Sequence, residues 1–138
     1  MQGKIFLQAL AIFFVIVGTT VAHAEVQTYT GVGEYFMAED TTVDFAKYQA
    51  SISAERDALE QVKVYVRSQS KMIDGKIDDD DIIAIGAGIL CVKNTKFSIE
   101  DTAQGLLVKA IVTAEIDIDE LETLLEREIN ARTSVRRN

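Results

Sequence analysis

Two stretches in the second half of the chain, residues 95–100 and 106–117, alternate between apolar and polar side chains. A period of two predicts β-strands, and the short polar segment between them, which contains Gly105, predicts a β-hairpin. One face of this hairpin is apolar and must cover another element of the fold. The other face is mostly polar but carries Leu107, Ile111 and Thr113, which we predict to be partner-binding residues.

A longer segment after residue 42 has a helical period, and it predicts an amphipathic helix of about 25 residues. Thr41 and Thr42, preceded by Glu39 and Asp40, supply the chemistry of a helix start. Packing on a sheet is favoured over a coiled coil because Glu55 would occupy a seam position. The apolar stripe comprises Phe45, Tyr48, Ile52, Leu59, Val62 and Val66, with Ala46, Ala50, Ala54 and Ala58 alongside. The opposite, charged face is expected to meet water and comprises Lys47, Arg56, Asp57, Glu60, Lys63 and Arg67.

The remaining segments complete the order of elements. Residues 26–37 are rich in β-branched and aromatic side chains, and Gly31 and Gly33 within them predict a strand with a bulge or a close backbone approach. Acidic residues precede a short helix that Gly86 and Gly88 are expected to end, and a final helix opens at Asp119.

The order β-α-α-β-β-α predicts an α+β fold. We expect a two-layer sandwich in which an antiparallel three-stranded sheet is covered by one long helix plus shorter helices. The sequence contains no proline and no linker composition, so residues 25–130 are expected to form a single domain. Residues 131–138 are expected to be a polar basic tail.

Residues 1–24 have the pattern of a secretory signal peptide. Lys4 provides a positive charge, an almost unbroken apolar run extends from Ile5 to Gly18, and small residues precede Glu25 at the positions that a signal peptidase requires. We therefore expect an exported, periplasmic or extracellular protein whose mature chain begins at Glu25. An uncleaved N-terminal anchor is the alternative, since the segment nearly reaches the roughly 20 residues that a spanning helix needs.

Removal of this segment makes the chain more acidic. Of the 14 basic and 22 acidic residues, only Lys4 lies within residues 1–24, so the net charge changes from −8 to −9. An acidic surface repels phosphate backbones, so nucleic acid is not expected as a partner. The expected partners are an envelope protein or a second copy of the chain, with membrane contact only through an uncleaved signal segment.

The mature chain lacks the residues on which most catalytic centres rely. The one histidine, His23, lies in the signal segment. The one cysteine, Cys91, lies between Leu90 and Val92, where we expect a buried structural thiol. Carboxylate pairs are unavoidable in so acidic a chain, and nothing in the sequence places two of them across a cleft. We therefore expect no enzymatic activity.

The acidic segment at residues 70–81 partly matches the pattern of a calcium-binding loop. The run from Asp74 to Asp78 matches the second half of an EF-hand, but Ser70 and Met72 occupy ligand positions of the first half. The metal candidates are Asp74, Asp78, Asp80 and Asp81. Helix capping by a solvated acidic cluster is the favoured interpretation, so no metal site is predicted.

Two glycine pairs could suggest phosphate-binding loops. Gly31 and Gly33 are followed by Phe36 where a dinucleotide fingerprint needs a third glycine, and neither this pair nor Gly86 and Gly88 precedes a Gly-Lys-Ser/Thr sequence. No cofactor is therefore expected.

Three patterns follow one another between Gly31 and Leu125. They are the glycine-containing strand at residues 31–35, the alanine-rich helix that ends in a valine-tyrosine-valine segment at residues 60–68, and the isoleucines at residues 82–85 ahead of the hairpin. In this series the chain resembles the N-terminal domain of the flagellar assembly protein T family and related small bacterial envelope lipoproteins. It differs from them in having no lipid-attachment cysteine at its cleavage site, and it ends where the flagellar protein continues into further domains.

This resemblance implies a compact module of the bacterial envelope that acts by protein contact and has no enzymatic role. The sequence as a whole favours an exported, non-catalytic envelope module that acts by protein–protein contact or as a structural or assembly component. The alternative is a periplasmic small-ligand or calcium-binding protein.

Overall fold

A three-stranded antiparallel sheet with one long helix on one face forms the centre of the fold. The computed structural model describes residues 24–70, 73 and 75–137, so the predicted signal segment lies outside the described residues except for Ala24. The elements are β1 (Val26–Phe36), α1 (Val43–Gln69), α2 (Asp79–Ile89), β2 (Cys91–Thr102), β3 (Gly105–Asp117) and α3 (Ile118–Val135). The strand order is β1-β3-β2, and α1 packs on β1 and β3. The predicted α+β class and order of elements are confirmed.

Helix α1 begins and extends as its sequence predicts. Leu59, Val62 and Val66 of the predicted stripe are buried, but the earlier part of the helix buries alanines instead of the larger apolar residues. The side chain of Thr42 accepts a hydrogen bond from the amide of Phe45, at 3.2 Å, and the helix runs for 27 residues. In its first half the buried residues are Ala46, Ala50, Ala54 and Ala58. Phe45, Tyr48 and Ile52, which we expected to face the sheet, are between 43% and 60% exposed.

The glycines of β1 explain why the alanines of α1, and not its larger apolar residues, face the sheet. A Cβ atom built on Gly31 would overlap the carbonyl oxygen of Ala54, and one built on Gly33 would overlap the carbonyl oxygen of Ala50. The backbones of β1 and α1 therefore lie too close for any side chain larger than alanine between them. The predicted close approach is confirmed, whereas the register shift lies in β2, between Val92 and Asn94, and not in β1.

The core has two parts. Beneath the first half of α1, the alanine row packs on Val108, Ala110, Val112 and Ala114 of the central strand β3. The second part lies among the end of α1, α2 and α3. It contains the larger side chains Val62, Val66, Ile73, Ile77, Ile82, Ile116, Ile118, Leu121 and Leu125.

The two shorter helices extend beyond their predicted ends. Gly86 and Gly88 lie inside α2, which continues to Ile89. Helix α3, capped by the side chain of Asp117, continues to Val135 through residues that we assigned to a solvated tail. Arg132 of that segment is bound to Asp81 of α2, at 2.9 Å, so the ordered domain extends past residue 130.

None of the helices in the described part of the chain combines the length and the apolar composition that crossing a bilayer requires.

Candidate interaction surfaces

The sheet has two edges, and two side chains of α1 bind the middle of the β1 edge. The amide of Val32 donates to the carboxylate of Asp57, at 2.9 Å, and the carbonyl of Thr30 accepts from the side chain of Gln61, at 2.8 Å. Both backbone groups point away from β3. An unpaired strand edge is a template for another strand, and these two side chains occupy it. We had expected Asp57 only to meet water.

The edge of β2 differs. Because the Val32 amide points outward, Val32 and its β3 neighbour Ile111 form a non-hydrogen-bonded pair, and Ile111 directs its backbone groups towards Lys96 of β2. The residues that alternate with Lys96 must then direct their N–H and C=O groups outward. They are Thr95, Phe97, Ile99 and Asp101. Within the described part of the chain, no hydrogen bond from another element reaches these outward groups.

The apolar side chains of β2 lie on the same side of the sheet as α1, but α1 does not cover them. Val92, Phe97 and Ile99 pair with buried residues of β3 that face the helix. They are nevertheless 40–46% exposed, as is Leu106 beside them on β3, because α1 packs on β1 and β3 and hardly touches β2. We call Val92, Phe97, Ile99 and Leu106 the β2 shelf.

One side chain of α1 extends over the shelf. The ammonium of Lys47 lies 5.5 Å from the centre of the Phe97 ring, within the range of a cation–π interaction. A lysine has a flexible, hydrated head and leaves the shelf accessible to a partner. Shelf and edge together therefore offer apolar contact area and unpaired backbone groups on the same strand.

The residues that we predicted to bind a partner lie on the opposite, open face of the sheet. Ile111 is 38% exposed and Thr113 is half-buried. Leu107 is only 8% exposed, so it offers a partner little contact area. It lies on the central strand with a cross-strand neighbour on each side, one of which is the large ring of Phe36.

Ion pairs between neighbouring strands make much of this open face polar. Lys109 pairs with Glu34 of β1, and Lys93 pairs with Glu115 of β3, each at 3.1 Å. These charged groups border the apolar side chain of Ile111. The open face thus mixes ion pairs with the exposed apolar side chains of Val32, Phe36 and Ile111, whereas the exposed apolar residues of the β2 shelf lie beside an unpaired strand edge.

Two carboxylates of the acidic segment are held by basic side chains. Arg67 of α1 binds Asp79 at 2.8 Å, and this hydrogen bond lowers the pKa of the Asp79 carboxyl group. The guanidinium of Arg132 lowers the pKa of Asp81 in the same way. No group of three or more metal-binding side chains occurs among the described residues. Of the metal candidates, Asp78 and Asp80 are exposed, and Asp74 lies outside the described residues.

Arg67 also binds the loop that precedes α2. It donates to the carbonyl oxygens of Ile73 and Ile77, at 3.4 and 2.8 Å. Ile73 and Ile77 themselves are buried. The charged residues at the end of α1, which we expected to meet water, therefore fix this loop onto the domain.

Cys91 is exposed, at the start of β2. Our expectation of a buried thiol is wrong, because Cys91 lies opposite Glu115 on the open face of the sheet, beside the ion pair of Lys93 and Glu115. The apolar neighbours Leu90 and Val92 do not determine which face the thiol meets.

A surface cavity of about 270 Å³ lies between the loop before α2 and the end of α3. Lys76, Asp78 and Arg136 line it, together with Arg132, whose guanidinium is bound to Asp81 and Glu128. This cavity holds no pair of carboxylates and no nucleophile beside a base in the described residues. Its geometry indicates no particular reaction.

Comparison with known proteins adds no assignment: the chain matches no protein-family model, and no curated protein matches it significantly. The surfaces must be interpreted from their own geometry. Sequence reasoning missed the β2 shelf because it took all apolar positions of the hairpin to be covered by the long helix. The alanine and glycine residues of α1 and β1 were the available signal, since they indicate which strand the helix approaches most closely.

Proposed function

We propose that this chain is an exported, non-catalytic interaction module that binds an extended segment of a second polypeptide chain along the β2 edge. The observation that carries this proposal is the contrast between the two sheet edges. Asp57 and Gln61 occupy the edge of β1, whereas β2 is long, unpaired and next to the apolar β2 shelf. Strand addition to such an edge uses backbone hydrogen bonds for affinity and alternate side chains for specificity.

Export and envelope location belong to the same proposal. They are supported by the signal-peptide pattern of residues 1–24 and by the resemblance to the flagellar assembly protein T family. The absence of histidine from Glu25 onward supports a non-catalytic role. Cell fractionation with mass spectrometry of the N-terminus tests export, and we expect a chain beginning at Glu25. Full-length precursor confined to the cytosol would contradict this.

A photo-cross-linking amino acid placed at single positions tests the interaction surface in the producing cell. We expect discrete adducts from position 97 or 99 on the β2 shelf. Position 111 tests the open face of the sheet, which the sequence favoured. Position 64 is the control, because Val64 is 63% exposed but lies on α1, away from both proposed surfaces. Adducts from 111 alone would move the interface to the open face. No adduct from 97 or 99 would overturn the proposal.

A further inference from the structure

We infer that the partner strand is β2 of a second copy of this chain, paired antiparallel about a two-fold axis at Ser98. This inference rests on the proposed function, because it names the occupant of the β2 edge. When a strand pairs antiparallel with the same strand of a second copy, the contact is isologous. If one residue faces a second residue across the axis, that second residue of the first copy faces the first residue of the other copy. An axis at Ser98 sets Phe97 opposite Ile99 of the second copy, and Lys96 opposite Glu100 of the second copy.

The backbone pattern fits this register. Phe97 and Ile99 both direct their N–H and C=O groups outward, as derived above from the register and the Val32 amide. Paired across the axis, they exchange hydrogen bonds in both directions, and Thr95 and Asp101 form the next such pair. Two sheets of three strands would thus join into one of six.

The side chains are self-complementary about Ser98 on both faces of the strand. On the shelf side, an aromatic residue meets a β-branched one twice, since Phe97 and Ile99 exchange places. On the open side, a lysine meets a glutamate twice, since Lys96 and Glu100 do the same. Both kinds of cross-strand pair are favourable. Phe97 and Ile99 are 42% and 46% exposed, so these contacts would cover apolar surface that now meets water.

Neighbouring registers lose this match. An axis at Phe97 sets Lys96 opposite Ser98, and an axis at Lys96 sets two lysines face to face. An axis at Ile99 sets Phe97 opposite Asp101. Moving the axis by one residue slides one strand past the other by two positions, which keeps every side chain on its own face of the sheet. A slide by one position would put each side chain on the other face, and the two-fold axis does not permit it. The register shift between Val92 and Asn94 ends the regular part of β2 just before Thr95.

Charge also favours this strand as the meeting point of two copies. The mature chain carries a net charge of −9, so most surfaces of two copies repel each other. Strand β2 carries Lys93, Lys96, Glu100 and Asp101, which balance to zero. The repulsion between copies is therefore lowest where the edge is open.

Sedimentation of the purified protein over a range of concentrations, with single and exchanged charges, tests the inference. We expect a monomer–dimer equilibrium that Lys96→Glu and Glu100→Lys each weaken by at least about tenfold, because each sets like charges opposite one another at two symmetric places. The doubly exchanged variant and an equimolar mixture of the two single variants should both recover the dimer. Lys76→Glu is the matched control, with the same change of charge at an exposed position outside β2.

Each outcome of this experiment decides something. A dimer that is unaffected by the β2 charges, or single variants whose mixture fails to associate, would overturn the register. A monomer at every concentration would overturn the second copy as occupant. In that case the cross-linking at positions 97 and 99 still decides separately whether another protein uses the edge. Ile99→Pro removes an outward N–H of the edge strand β2. It should abolish association at this edge, whether the partner is a second copy or another protein, and leave the circular dichroism spectrum intact.

Discussion

The carboxylate of Asp57 on α1 accepts a hydrogen bond from the backbone amide of Val32 on the outer edge of β1, at 2.9 Å. Through this contact a helix that packs on one face of the sheet also protects one of its edges. The same helix leaves the other edge, at β2, without such protection. The two edges of this small sheet are therefore chemically different, and the proposed interaction depends on that difference.

Loss of the Asp57 contact is expected to have a modest cost and a local signature. Asp57→Ala should lower the free energy of unfolding by about 1 kcal/mol, the usual net contribution of one hydrogen bond. Urea denaturation measures this, with Arg56→Ala as the control because Arg56 is an exposed neighbour on the same helix. Amide hydrogen exchange at Val32 should accelerate in Asp57→Ala alone. Equal exchange in both variants would contradict the assigned contact.

The close approach of β1 and α1 predicts a large effect from a single methyl group. Gly33→Ala should lower the free energy of unfolding by about 3 kcal/mol, because the new Cβ meets the helix backbone, which cannot yield as a flexible side chain can. Gly88→Ala is the matched control, since nothing lies within 4 Å of the added Cβ and alanine favours the helix. It should raise stability by about 0.5 kcal/mol. Similar destabilisation by both substitutions would contradict the packing described.

The ion pair between Arg67 and Asp79 predicts a dependence of stability on pH. The pKa of Asp79 is lowered in the folded chain below its ordinary value of 3.8, chiefly by the hydrogen bond from Arg67. Its contribution to stability is therefore fully present above about pH 4, and it is lost as the pH falls through the lowered pKa. Asp79→Asn should be less stable than the wild type near neutral pH, and the difference should shrink in acid.

Urea denaturation of both proteins across this pH range measures the effect. Asp80→Asn serves as the control, since Asp80 lies in the same helical turn and forms no salt bridge with another described residue. A difference between wild type and Asp79→Asn that stays constant with pH would show that the substitution acts by some other route than charge.

The thiol of Cys91 should react without unfolding. Because Cys91 is exposed, a thiol reagent should modify the native protein completely, at a rate close to that of the denatured chain. Cys91→Ser should change the free energy of unfolding by less than about 0.5 kcal/mol. A thiol that becomes reactive only in denaturant would restore the buried position that the sequence suggested.

The fold could be predicted from the sequence because its periods are distinct. Alternation in β2 and β3, the helical repeat after Thr42 and the glycines of β1 each match the element that the structure contains. The rotation of α1 about its own axis was harder to predict. By hydrophobicity alone Phe45, Tyr48 and Ile52 outrank alanine, yet they face outward because the distance between α1 and β1 admits only small side chains there.

Prediction of the interaction surface depended on how α1 lies on the sheet. Whether Phe97 and Ile99 are covered is decided by which strands α1 lies across, and this information is not local to β2. The low exposure of Leu107 could not be predicted from the sequence for a related reason. Alternation assigns a residue to a face of the sheet, but neighbouring strands determine how much of that residue solvent can reach.

The row of alanines along α1 limits the substitutions that this domain can accept during evolution. Turning the helix by one position about its axis would bring a bulky residue such as Phe45 or Lys47 against the sheet, and no gap there could receive it. The helix therefore has a single permitted orientation, and substitutions along the row are restricted to residues of the smallest size. Variation in relatives of this chain should accumulate on the outward side of α1 and along β2 instead.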